Sequence, residues 1–500
     1  MTSMILAIDQ GTTNTKALLV DREGQPQARA SVRMTISTPR SNWVEQDAEA
    51  IWQSVLEAVA ACLQLAPGVA VAGVAISNQR ETVVVWDRLT GKPLAPAIVW
   101  QCQRSSAICE QLRRDGLEPL LRERTGLGID TLFSASKMRW LLENIPGLPE
   151  RASTGEVCFG TIDSWLIWKL TGGSAHLCDA SNASRTQLLN LAQGDWDEEL
   201  LAIFGVPRTA LPQVRDSSGV FGRCKGIIGL EGVPIVSAMG DSHAAMAGHG
   251  SYEPGTVKAT YGTGSSLMTL LSALEAPRHG VASTIAWSLN GKPQYALEGN
   301  IAMTGAGLAW VGEFLGLAQP VEDAATLAAS VSSSEGVYLV PAMSGLSAPY
   351  WDGEAKGNIS GLTRTSRAAH LARAAVESIA YQIRDVFDAM AAGASCDLPE
   401  LHTDGGATKN DTLMQFQADI LGKPVVRAGC EDLSAMGAAF FGGLALGWWT
   451  TMQQLTAMVR DASTFTPTMA TAEKDRLYSG WKTAVARTRL RASSEEQPHE

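Results

Sequence analysis

Cysteine is scarce in this sequence and is never closely paired. The chain of 500 residues has eight cysteines at irregular spacing, with no Cys-x-x-Cys pair. That pattern favours separate core thiols in a reducing compartment over a disulfide framework. The sequence also lacks a basic and apolar N-terminal signal region, and it has no apolar run long enough to span a membrane. These absences predict a cytoplasmic protein with no membrane partner.

Positive charge is in short supply as well. The chain has 40 Lys and Arg against 51 Asp and Glu, a formal net charge of −11. This excess of negative charge argues against nucleic acid as the main partner, although glycine loops and helix N-termini can still hold anionic ligands locally. The chain length suggests about two to four domains, and the hydrophobic fraction of 45% is ordinary for a globular protein.

Two common functional motifs are missing. The seven histidines include no His-Glu-x-x-His pattern and no set of His and Cys residues at metal-site spacing, which argues against a metal site of that kind. The pattern Gly-x-x-x-x-Gly-Lys-Ser/Thr is also absent, which excludes a Walker A loop. A phosphate site in this chain must therefore be built from other turns.

The chain does contain two copies of one hairpin pattern. Apolar runs at residues 5–9 and 15–21 predict strands on either side of a Gly-Thr-Thr turn at residues 10–14. The same layout recurs in strands predicted at residues 255–261 and 267–271, around a Gly-Thr-Gly turn. Because each hairpin stands at the head of about half of the chain, the repeat predicts two related α/β domains.

The repeat places the domain boundary near residues 245–255, with an N-terminal domain of residues 1–248 and a C-terminal domain of residues 249–500. Ser366 is predicted to cap a long helix, and the polar tail at residues 493–500 is predicted to fray. The other predicted elements are strands at residues 71–77, 82–87 and 401–403, and helices at residues 45–63, 136–144, 163–170, 367–392, 411–421 and 434–446.

Three glycine-containing turns carry the chemistry of a phosphate site. A Gly-Thr turn exposes backbone N–H groups and hydroxyls that can hold phosphate oxygens, and the first one is flanked by Lys16 and by Asp9, which could hold Mg²⁺ through water. The second turn contains Thr263, and the third follows Asp404. A single such turn is most often a plain hairpin. Three of them favour a nucleotide cradle between two domains.

The stretch MGDSHAAMAGH at residues 239–249 places Asp241 between a glycine and a Ser-His pair. Adjacent residues point in different directions on a helix, so a Ser-His-Asp triad is excluded, and a metal site lacks partner ligands. From the residues alone, the interpretation of Asp241 as the cap of an alanine-rich helix remains, and it is compatible with a role as a catalytic base. For the neighbouring His243, a role in the pocket and a structural role are both open, and the structural role is favoured.

The chain resembles the FGGY family of carbohydrate kinases, and within it the glycerol kinase branch. The resemblance spans almost the whole chain, and its motifs occur in the family's order. They are Ile8-Asp-Gln-Gly-Thr-Thr13, Asn78-Gln-Arg-Glu-Thr82, Val99-Trp-Gln-Cys102, the stretch from Gly160 to Thr171, Asn182-Ala-Ser-Arg-Thr186, Tyr261-Gly-Thr-Gly264, Gly357-Asn-Ile-Ser-Gly-Leu-Thr363 through Glu377, and Asp404-Gly-Gly-Ala407.

The resemblance implies a fold, an activity and a cofactor. The fold would be two ribonuclease-H-like domains of the actin, hexokinase and Hsp70 type, with ATP and substrate in the cleft between them. The activity would be Mg²⁺-dependent phosphorylation, with ATP, of a primary hydroxyl of a small polyol or sugar. The resemblance leaves the oligomeric state open, with a homo-oligomer as one alternative.

The resemblance also implies roles for individual residues. Asp241 would be the catalytic base, and Asp9 and Asp241 would lie at the Mg²⁺. The positions implied for ATP are Thr12, Thr13, Asn14, Lys16, Thr263, Gly305, Gly406 and Asn410. The positions implied for the acceptor are Arg80, Glu81, Trp100 and Asp241, together with Leu132, Ser242 and Ser266.

The last three positions depart from glycerol kinases, which have Tyr, Gln and Phe where this chain has Leu132, Ser242 and Ser266. Lys16 likewise stands where glycerol kinases have Arg, so a cation is kept without a bidentate fork. Smaller side chains leave room for additional CHOH units, and hydroxyls can bond to them at about 1 kcal/mol each. The sequence thus predicts either glycerol or a longer acceptor, a tetritol, a pentitol or a ketopentose.

Two other functions are open to the same fold. One is a nucleotide-driven switch of the actin or Hsp70 kind, and the other is a sugar-binding regulator without catalysis. The pocket residues Arg80, Glu81 and Trp100 favour a small-molecule acceptor over a switch. The presence of both Asp9 and Asp241 favours an enzyme over a regulator.

Overall fold

The structure is a computed structural model that describes residues 3–459 and 461–490. The tail at residues 493–500, predicted to fray, lies outside these residues. Two large sheets organise the chain. The strands of the first, in spatial order, are Ser218–Arg223, Pro234–Gly240, Ala70–Asn78, Ser3–Gln10, Asn14–Val20 and Pro26–Arg33. Those of the second are Ala282–Leu289, Lys292–Ile301, Ser265–Leu270, Thr256–Tyr261, Glu400–Asp404, Val425–Ala428 and Asp461–Phe465.

The two sheets repeat one arrangement. In each, a central strand pairs antiparallel with the strand that follows it in the chain and parallel with a later strand. The central strands are Ser3–Gln10 and Thr256–Tyr261. The six strands from Pro26–Arg33 to Ser218–Arg223 in the first sheet match the six from Lys292–Ile301 to Asp461–Phe465 in the second. Parallel and antiparallel pairs follow in the same order in both, and the second sheet has Ala282–Leu289 as an additional edge strand. The predicted repeat of two hairpins is therefore present.

Helices cover the sheets, and five two-stranded ribbons form separately from the two large sheets. The helices are Ala48–Leu65, Ser106–Arg114, Glu118–Thr125, Ser134–Asn144, Leu148–Ser153, Ile162–Leu170, Ala180–Ala183, Glu198–Phe204, Asp241–Gly248, Gly305–Phe314, Pro320–Ala329, Ala368–Gly393, Asp411–Leu421, Leu433–Ala445, Met452–Thr456 and Thr471–Thr488. The ribbons pair Glu45–Gln46 with Ala97–Ile98, Val84–Asp87 with Val157–Gly160, Leu177–Asp179 with Gln213–Arg215, Leu189–Asn190 with Asp195–Trp196, and Tyr338–Val340 with Asn358–Ser360.

The first helix shows why the sequence pattern predicted it. Asp47 caps Ala48–Leu65, its Oδ1 accepting the N–H groups of Glu49 at 2.8 Å and Ala50 at 3.4 Å. Its buried side chains recur at helical spacing and pack on the first sheet; they are Ile51, Trp52, Val55, Ala58, Val59 and Cys62. All eight cysteines are free thiols, and six of them are buried. None of the helices in the described residues is both long and apolar enough to cross a membrane.

Two predicted helix caps are wrong. The long helix Ala368–Gly393 is preceded by Arg367, whose N–H donates to Nδ1 of His370 at 3.1 Å, while the hydroxyl of Ser366 accepts the N–H of Thr363. In the helix Asp241–Gly248 the N-cap is Gly240, and Asp241 is already the first helical residue. In both cases the polar side chain has a different local partner, so the chain enters the helix one residue away from the predicted position.

The helix Leu433–Ala445 comes late in the chain, yet it packs on the first sheet. Its Ala435 and Ala439 lie in one apolar cluster with Ile5 and Ala7 of the central strand, and the hydroxyl of Ser237 donates to its Ala438 carbonyl at 2.7 Å. The same helix contacts the helix Asp241–Gly248. The end of the chain thus supports the element that begins with Asp241.

Candidate active site

The predicted nucleotide turns of the second half meet at one end of the second sheet. The N–H of Gly262 donates to the carbonyl of Gly264 at 2.9 Å, and the N–H of Gly305 donates to the carbonyl of Gly262 at 3.1 Å. A Cβ on Gly305 would lie 2.6 Å from that carbonyl oxygen, and a Cβ on Gly405 would lie 2.3 Å from the carbonyl oxygen of Tyr261. Glycine is therefore required for this close approach.

Several side chains and backbone groups at these turns face solvent. Thr13 and Asn14 in the first turn, and Thr263 in the second, are exposed. Gly406 is exposed as well, whereas Asn410 is half-buried and caps the helix Asp411–Leu421 by accepting the N–H of Leu413 at 3.1 Å. The exposed donors of both turns are available to phosphate oxygens. The side-chain oxygen of Asn410, in contrast, is held by its helix.

The hydroxyl and the carbonyl of Thr12 are both hydrogen-bonded within the protein. Its hydroxyl accepts the indole N–H of Trp100 at 2.9 Å, and its carbonyl accepts the amide of Gln46 at 2.8 Å. Trp100 is half-buried, and its backbone N–H donates to the hydroxyl of Thr82 at 3.2 Å. A wall of the predicted acceptor pocket is thereby tied to the predicted phosphate turn, so the two regions hold a fixed relative position.

Lys16 makes an ion pair across the two halves of the chain. Its Nζ lies 2.9 Å from Oδ1 of Asp432, and Arg29 Nε lies 2.7 Å from Oδ2 of the same carboxylate. Asp432 immediately precedes the helix Leu433–Ala445. A phosphate group that binds Lys16 must therefore compete with Asp432 for its ammonium group.

We expect Lys16→Met to raise the KM for Mg-ATP by about 10-fold, because it removes the charge-assisted phosphate contact that the family resemblance implies for Lys16. Arg29→Met is the matched control, since it removes the other cation on Asp432 from a side chain that is 50% exposed, and a change of less than about 2-fold is expected. Steady-state kinetics with varied Mg-ATP measure both values. Equal effects of the two substitutions would show that Lys16 acts only by neutralising Asp432.

The carboxylate of Asp9 has few hydrogen-bond donors around it. Asp9 is the next-to-last residue of the central strand Ser3–Gln10, and among the described residues its side chain accepts one hydrogen bond, from the hydroxyl of Ser77 at 2.9 Å. Burial raises the pKa of Asp9 to about 6, the charge of Asp241 adds to the rise, and Lys16 opposes it. A nearby divalent cation would relieve this unfavourable charge, so the environment of Asp9 fits a cation.

Asp241 has one oxygen engaged and one free. Its Oδ1 lies 3.2 Å from Nε of Arg80 and accepts the N–H of Ser242 at 2.6 Å. No described residue makes a hydrogen bond to Oδ2, and 37% of the side chain is exposed. Burial raises the pKa of Asp241, and the Arg80 guanidinium and the Ser242 N–H oppose that rise. A carboxylate with a free oxygen and a raised pKa has the properties of a proton acceptor.

Arg80 and Glu81 form a strained turn beside Asp241. Glu81 has φ of +59°, which is uncommon for a residue other than glycine, and the N–H of Thr82 donates to the carbonyl of Arg80 at 2.7 Å. The hydroxyl of Ser134 donates to the carbonyl of Glu81 at 3.0 Å. Such strain persists only where the surroundings hold it in place, and it is concentrated at functional sites.

The structure brings in two residues that sequence reasoning did not assign. Glu298 lies within 2.6 Å of both Arg80 Nη1 and Arg185 Nη1, and Arg185 Nε donates to Glu81 at 2.7 Å. Burial alone would raise the pKa of Glu298, but the two guanidiniums lower it well below its usual range. Arg185 lies in the family motif Asn182-Ala-Ser-Arg-Thr186, and this is the only sequence feature that could have identified it. Glu298 lies outside the family motifs, and no sequence feature marks it.

The three departures from glycerol kinases lie in different settings. Ser266 is half-buried, and its hydroxyl donates to Glu298 at 3.2 Å. Ser242 is half-buried, and its hydroxyl makes no hydrogen bond with any described residue. Leu132 is half-buried beside the apolar cluster of Leu127, Phe133 and Ala282. Two of the three positions therefore present hydroxyls, and the third presents an apolar side chain.

A buried lysine shapes the loop that carries Leu132. Nζ of Lys137 donates to the carbonyls of Thr131, Leu132 and Phe133, at 2.7, 2.6 and 3.1 Å. Burial lowers the pKa of Lys137 to about 8, against the charge of Glu81. No local sequence pattern marks Lys137, because its role depends on where the loop folds back.

His243 lies behind the pocket. It is fully buried, its Nε2 is 3.5 Å from the hydroxyl of Thr284, and burial together with Arg80 holds its pKa well below the usual range. A fully buried imidazole in the first turn of the helix Asp241–Gly248 supports the structural interpretation of His243.

Comparison with known proteins decides the family. The model of the FGGY family of carbohydrate kinases, N-terminal domain, matches residues 4–248, and that of its C-terminal domain matches residues 257–446. The chain belongs to the FGGY family of carbohydrate kinases. It is an ATP-dependent carbohydrate or polyol kinase with the two-domain fold of actin and hexokinase, so the predicted family, fold class and enzyme class are confirmed.

Relatives of this FGGY kinase are named for different substrates. A protein named apulose kinase from Pectobacterium atrosepticum is 47% identical over 98% of this chain and 99% of its own. A protein named glycerol kinase from Carboxydothermus hydrogenoformans is 46% identical over 97% and 98%. The crystal structure of Plasmodium falciparum glycerol kinase with ADP is 31% identical, with a TM-score of 0.90 over 98% of this chain and 99% of that one.

Proposed function

We propose that this FGGY kinase transfers the γ-phosphoryl group of ATP to a primary hydroxyl of a four- or five-carbon polyol or ketose, with Asp241 as general base. The observation that carries the proposal is the geometry of Asp241: one carboxylate oxygen is fixed by Arg80 and the Ser242 N–H, and the other is free in an exposed position. A fixed carboxylate can accept the proton that the acceptor hydroxyl loses as the phosphoryl group is transferred.

The residues around Asp241 would bind the acceptor and the phosphates. Arg80 and Glu81 can donate to and accept from neighbouring hydroxyls of the acceptor, and Trp100 offers an apolar face to its carbons. Thr13, Asn14 and Thr263, exposed on the two hairpin turns, supply donors for the phosphates. Positioning and charge stabilisation of this kind account for most of the catalysis of phosphoryl transfer.

Asp9 and Asp241 would hold Mg²⁺, through water or through the phosphates. The negative charge of Asp241 contributes to the raised pKa of Asp9, so a cation that neutralises both carboxylates would relieve their repulsion. The described residues contain no cluster of three His, Cys, Asp or Glu side chains able to hold a metal ion. The remaining ligands would therefore come from ATP and water. Bound Mg²⁺ supplies neutralisation of the phosphate charge.

The acceptor class rests on the pocket. Identity to the named apulose kinase and to the named glycerol kinase is nearly equal, at 47% and 46%, so overall similarity does not choose between the two. Ser242 and Ser266 provide hydroxyls and space where glycerol kinases have longer side chains. The Ser242 hydroxyl has no partner among the described residues, and a site built to hydrogen-bond an acceptor hydroxyl discriminates against an acceptor that lacks it, which favours an acceptor longer than glycerol.

Acceptor-dependent phosphoryl transfer is the test of the kinase proposal. The protein is incubated with Mg-ATP and single acceptors, ADP is measured in a coupled assay, and the phosphorylated product is identified by mass spectrometry. We expect ADP formation to require the acceptor and to match product formation in amount. ADP formation that is independent of every acceptor would instead indicate a nucleotide switch of the same fold.

Restoring the glycerol kinase residues should reverse the preference. We expect the double substitution Ser242→Gln and Ser266→Phe to raise kcat/KM for glycerol, relative to the best longer acceptor, by about 100-fold, since each change fills space and removes a hydroxyl. Ser153→Gln, on an exposed helix position, is the control and should leave the ratio unchanged. An unchanged ratio in the double variant would show that these positions do not set the acceptor length.

A further inference from the structure

Glu298 joins two arginines from the other half of the chain. It lies on the strand Lys292–Ile301 of the second sheet and is fully buried. Its Oε1 accepts from Nη1 of Arg80 at 2.6 Å, and its Oε2 lies 2.6 Å from Nη1 of Arg185. Both arginines belong to the first half of the chain, so one carboxylate of the second sheet engages two cations beside the acceptor pocket.

The contacts continue outward to the residues that would hold the acceptor. Arg80 Nε lies 3.2 Å from Asp241, and Arg185 Nε donates to Glu81 at 2.7 Å. Carboxylates and guanidiniums thus alternate along one chain of contacts, from Asp241 through Glu298 at its centre to Glu81. Removing the central carboxylate would leave two buried cations facing each other, with one carboxylate each.

We propose that Glu298 is the positioning residue of the acceptor pocket, holding Arg80 and Arg185 so that Asp241 and Glu81 face the acceptor only when the second sheet is docked against the first half of the chain. The inference rests on the proposed function, since it assigns the acceptor to this pocket. Acceptor recognition is then coupled to the arrangement of the two halves. Glu298 itself acts through the arginines.

Ser266 connects this arrangement to the acceptor length. It lies on the neighbouring strand Ser265–Leu270, and its hydroxyl donates to Oε1 of Glu298 at 3.2 Å, the oxygen that also accepts from Arg80. Phenylalanine at this position, as in glycerol kinases, has no donor to offer. The serine that enlarges the pocket therefore also helps to hold its central carboxylate.

Glu298→Gln tests the proposal because glutamine has the same shape without the charge. The acceptor is the one with the highest kcat/KM in the parent protein among glycerol, erythritol, ribitol, xylitol, ribulose and xylulose. In the variant we expect the KM for that acceptor to rise by about 10-fold or more, with the KM for Mg-ATP within about 2-fold. The stabilisation of the protein by the acceptor in a thermal-shift assay should fall, while that by Mg-ATP should stay.

Two further variants complete the experiment. Glu400→Gln is the control, because Glu400 also lies on the second sheet but pairs with His402 at 2.7 Å, and it should leave both KM values unchanged. Glu298→Asp keeps the charge on a shorter side chain and should recover part of the acceptor affinity. It replaces the glutamine variant if that one fails to fold.

The outcomes separate the two proposals. A parent protein that phosphorylates none of the six acceptors contradicts the proposed function. An active parent whose Glu298 variant keeps the same acceptor KM and the same acceptor-induced stabilisation contradicts the positioning role alone. Equal losses for the acceptor and for Mg-ATP would show a general structural role and would also overturn the inference.

Discussion

Asp241→Asn is expected to lower kcat by about 10³-fold while acceptor and Mg-ATP affinity change little. Asparagine keeps the size of the side chain and can keep the contact of Asp241 with the Ser242 N–H, but it cannot take a proton from the acceptor hydroxyl. Single-turnover kinetics measure the transfer step, and thermal-shift titrations measure binding of each ligand. The expected signature is full binding with almost no transfer.

Asp411→Asn is the matched control for this variant. Asp411 is likewise the first residue of a helix, Asp411–Leu421, but its side chain is 73% exposed and pairs with Arg427. We expect the control to leave kcat within about 2-fold of the parent, as exposed ion pairs contribute little. A kcat of Asp241→Asn near that of the parent would remove Asp241 from the role of general base.

The second large effect is expected for Gly437→Ala. A Cβ at this position would lie 1.8 Å from the carbonyl oxygen of Ala244 and 2.8 Å from the backbone nitrogen of Gly248. Because both neighbours are backbone atoms, the helix Leu433–Ala445 must move away from the helix that begins with Asp241. We expect a loss of about 3 kcal/mol in unfolding free energy, a lower melting temperature and a reduced kcat.

Gly353→Ala is the control for steric overlap. No atom lies within 4 Å of a Cβ built at Gly353, and its φ is not in the left-handed region. Its melting temperature should therefore match that of the parent or rise slightly. If Gly437→Ala unfolds at the same temperature as Gly353→Ala, the close packing of the two helices does not limit stability.

The sequence was informative where function depends on local pattern. The two Gly-Thr turns were predicted from apolar runs flanking a short polar segment, which is a local property. The helix predicted at residues 45–63 was found for the same reason, since it follows from local helical spacing. Asp241 was singled out by its place between a buried strand and an alanine-rich segment, and its role as a catalytic base was implied by the family resemblance.

The features that escaped prediction depend on distant partners. Glu298 contacts Arg80, which is 218 residues away in the sequence. Lys16 contacts Asp432, which is 416 residues away. The helix Leu433–Ala445 was predicted as a helix, but nothing in its sequence shows that it covers the first sheet. Tertiary contacts of this kind follow from the packing of two sheets, which hydrophobic periodicity alone does not specify.

The central claim is that this kinase acts on an acceptor longer than glycerol. The most direct measurement is kcat/KM for glycerol, tetritols, pentitols and ketopentoses at saturating Mg-ATP, with the same protein preparation and coupled ADP detection. We expect at least one four- or five-carbon acceptor to exceed glycerol by about 10-fold or more. Glycerol with a higher kcat/KM than every four- and five-carbon acceptor would contradict the claim.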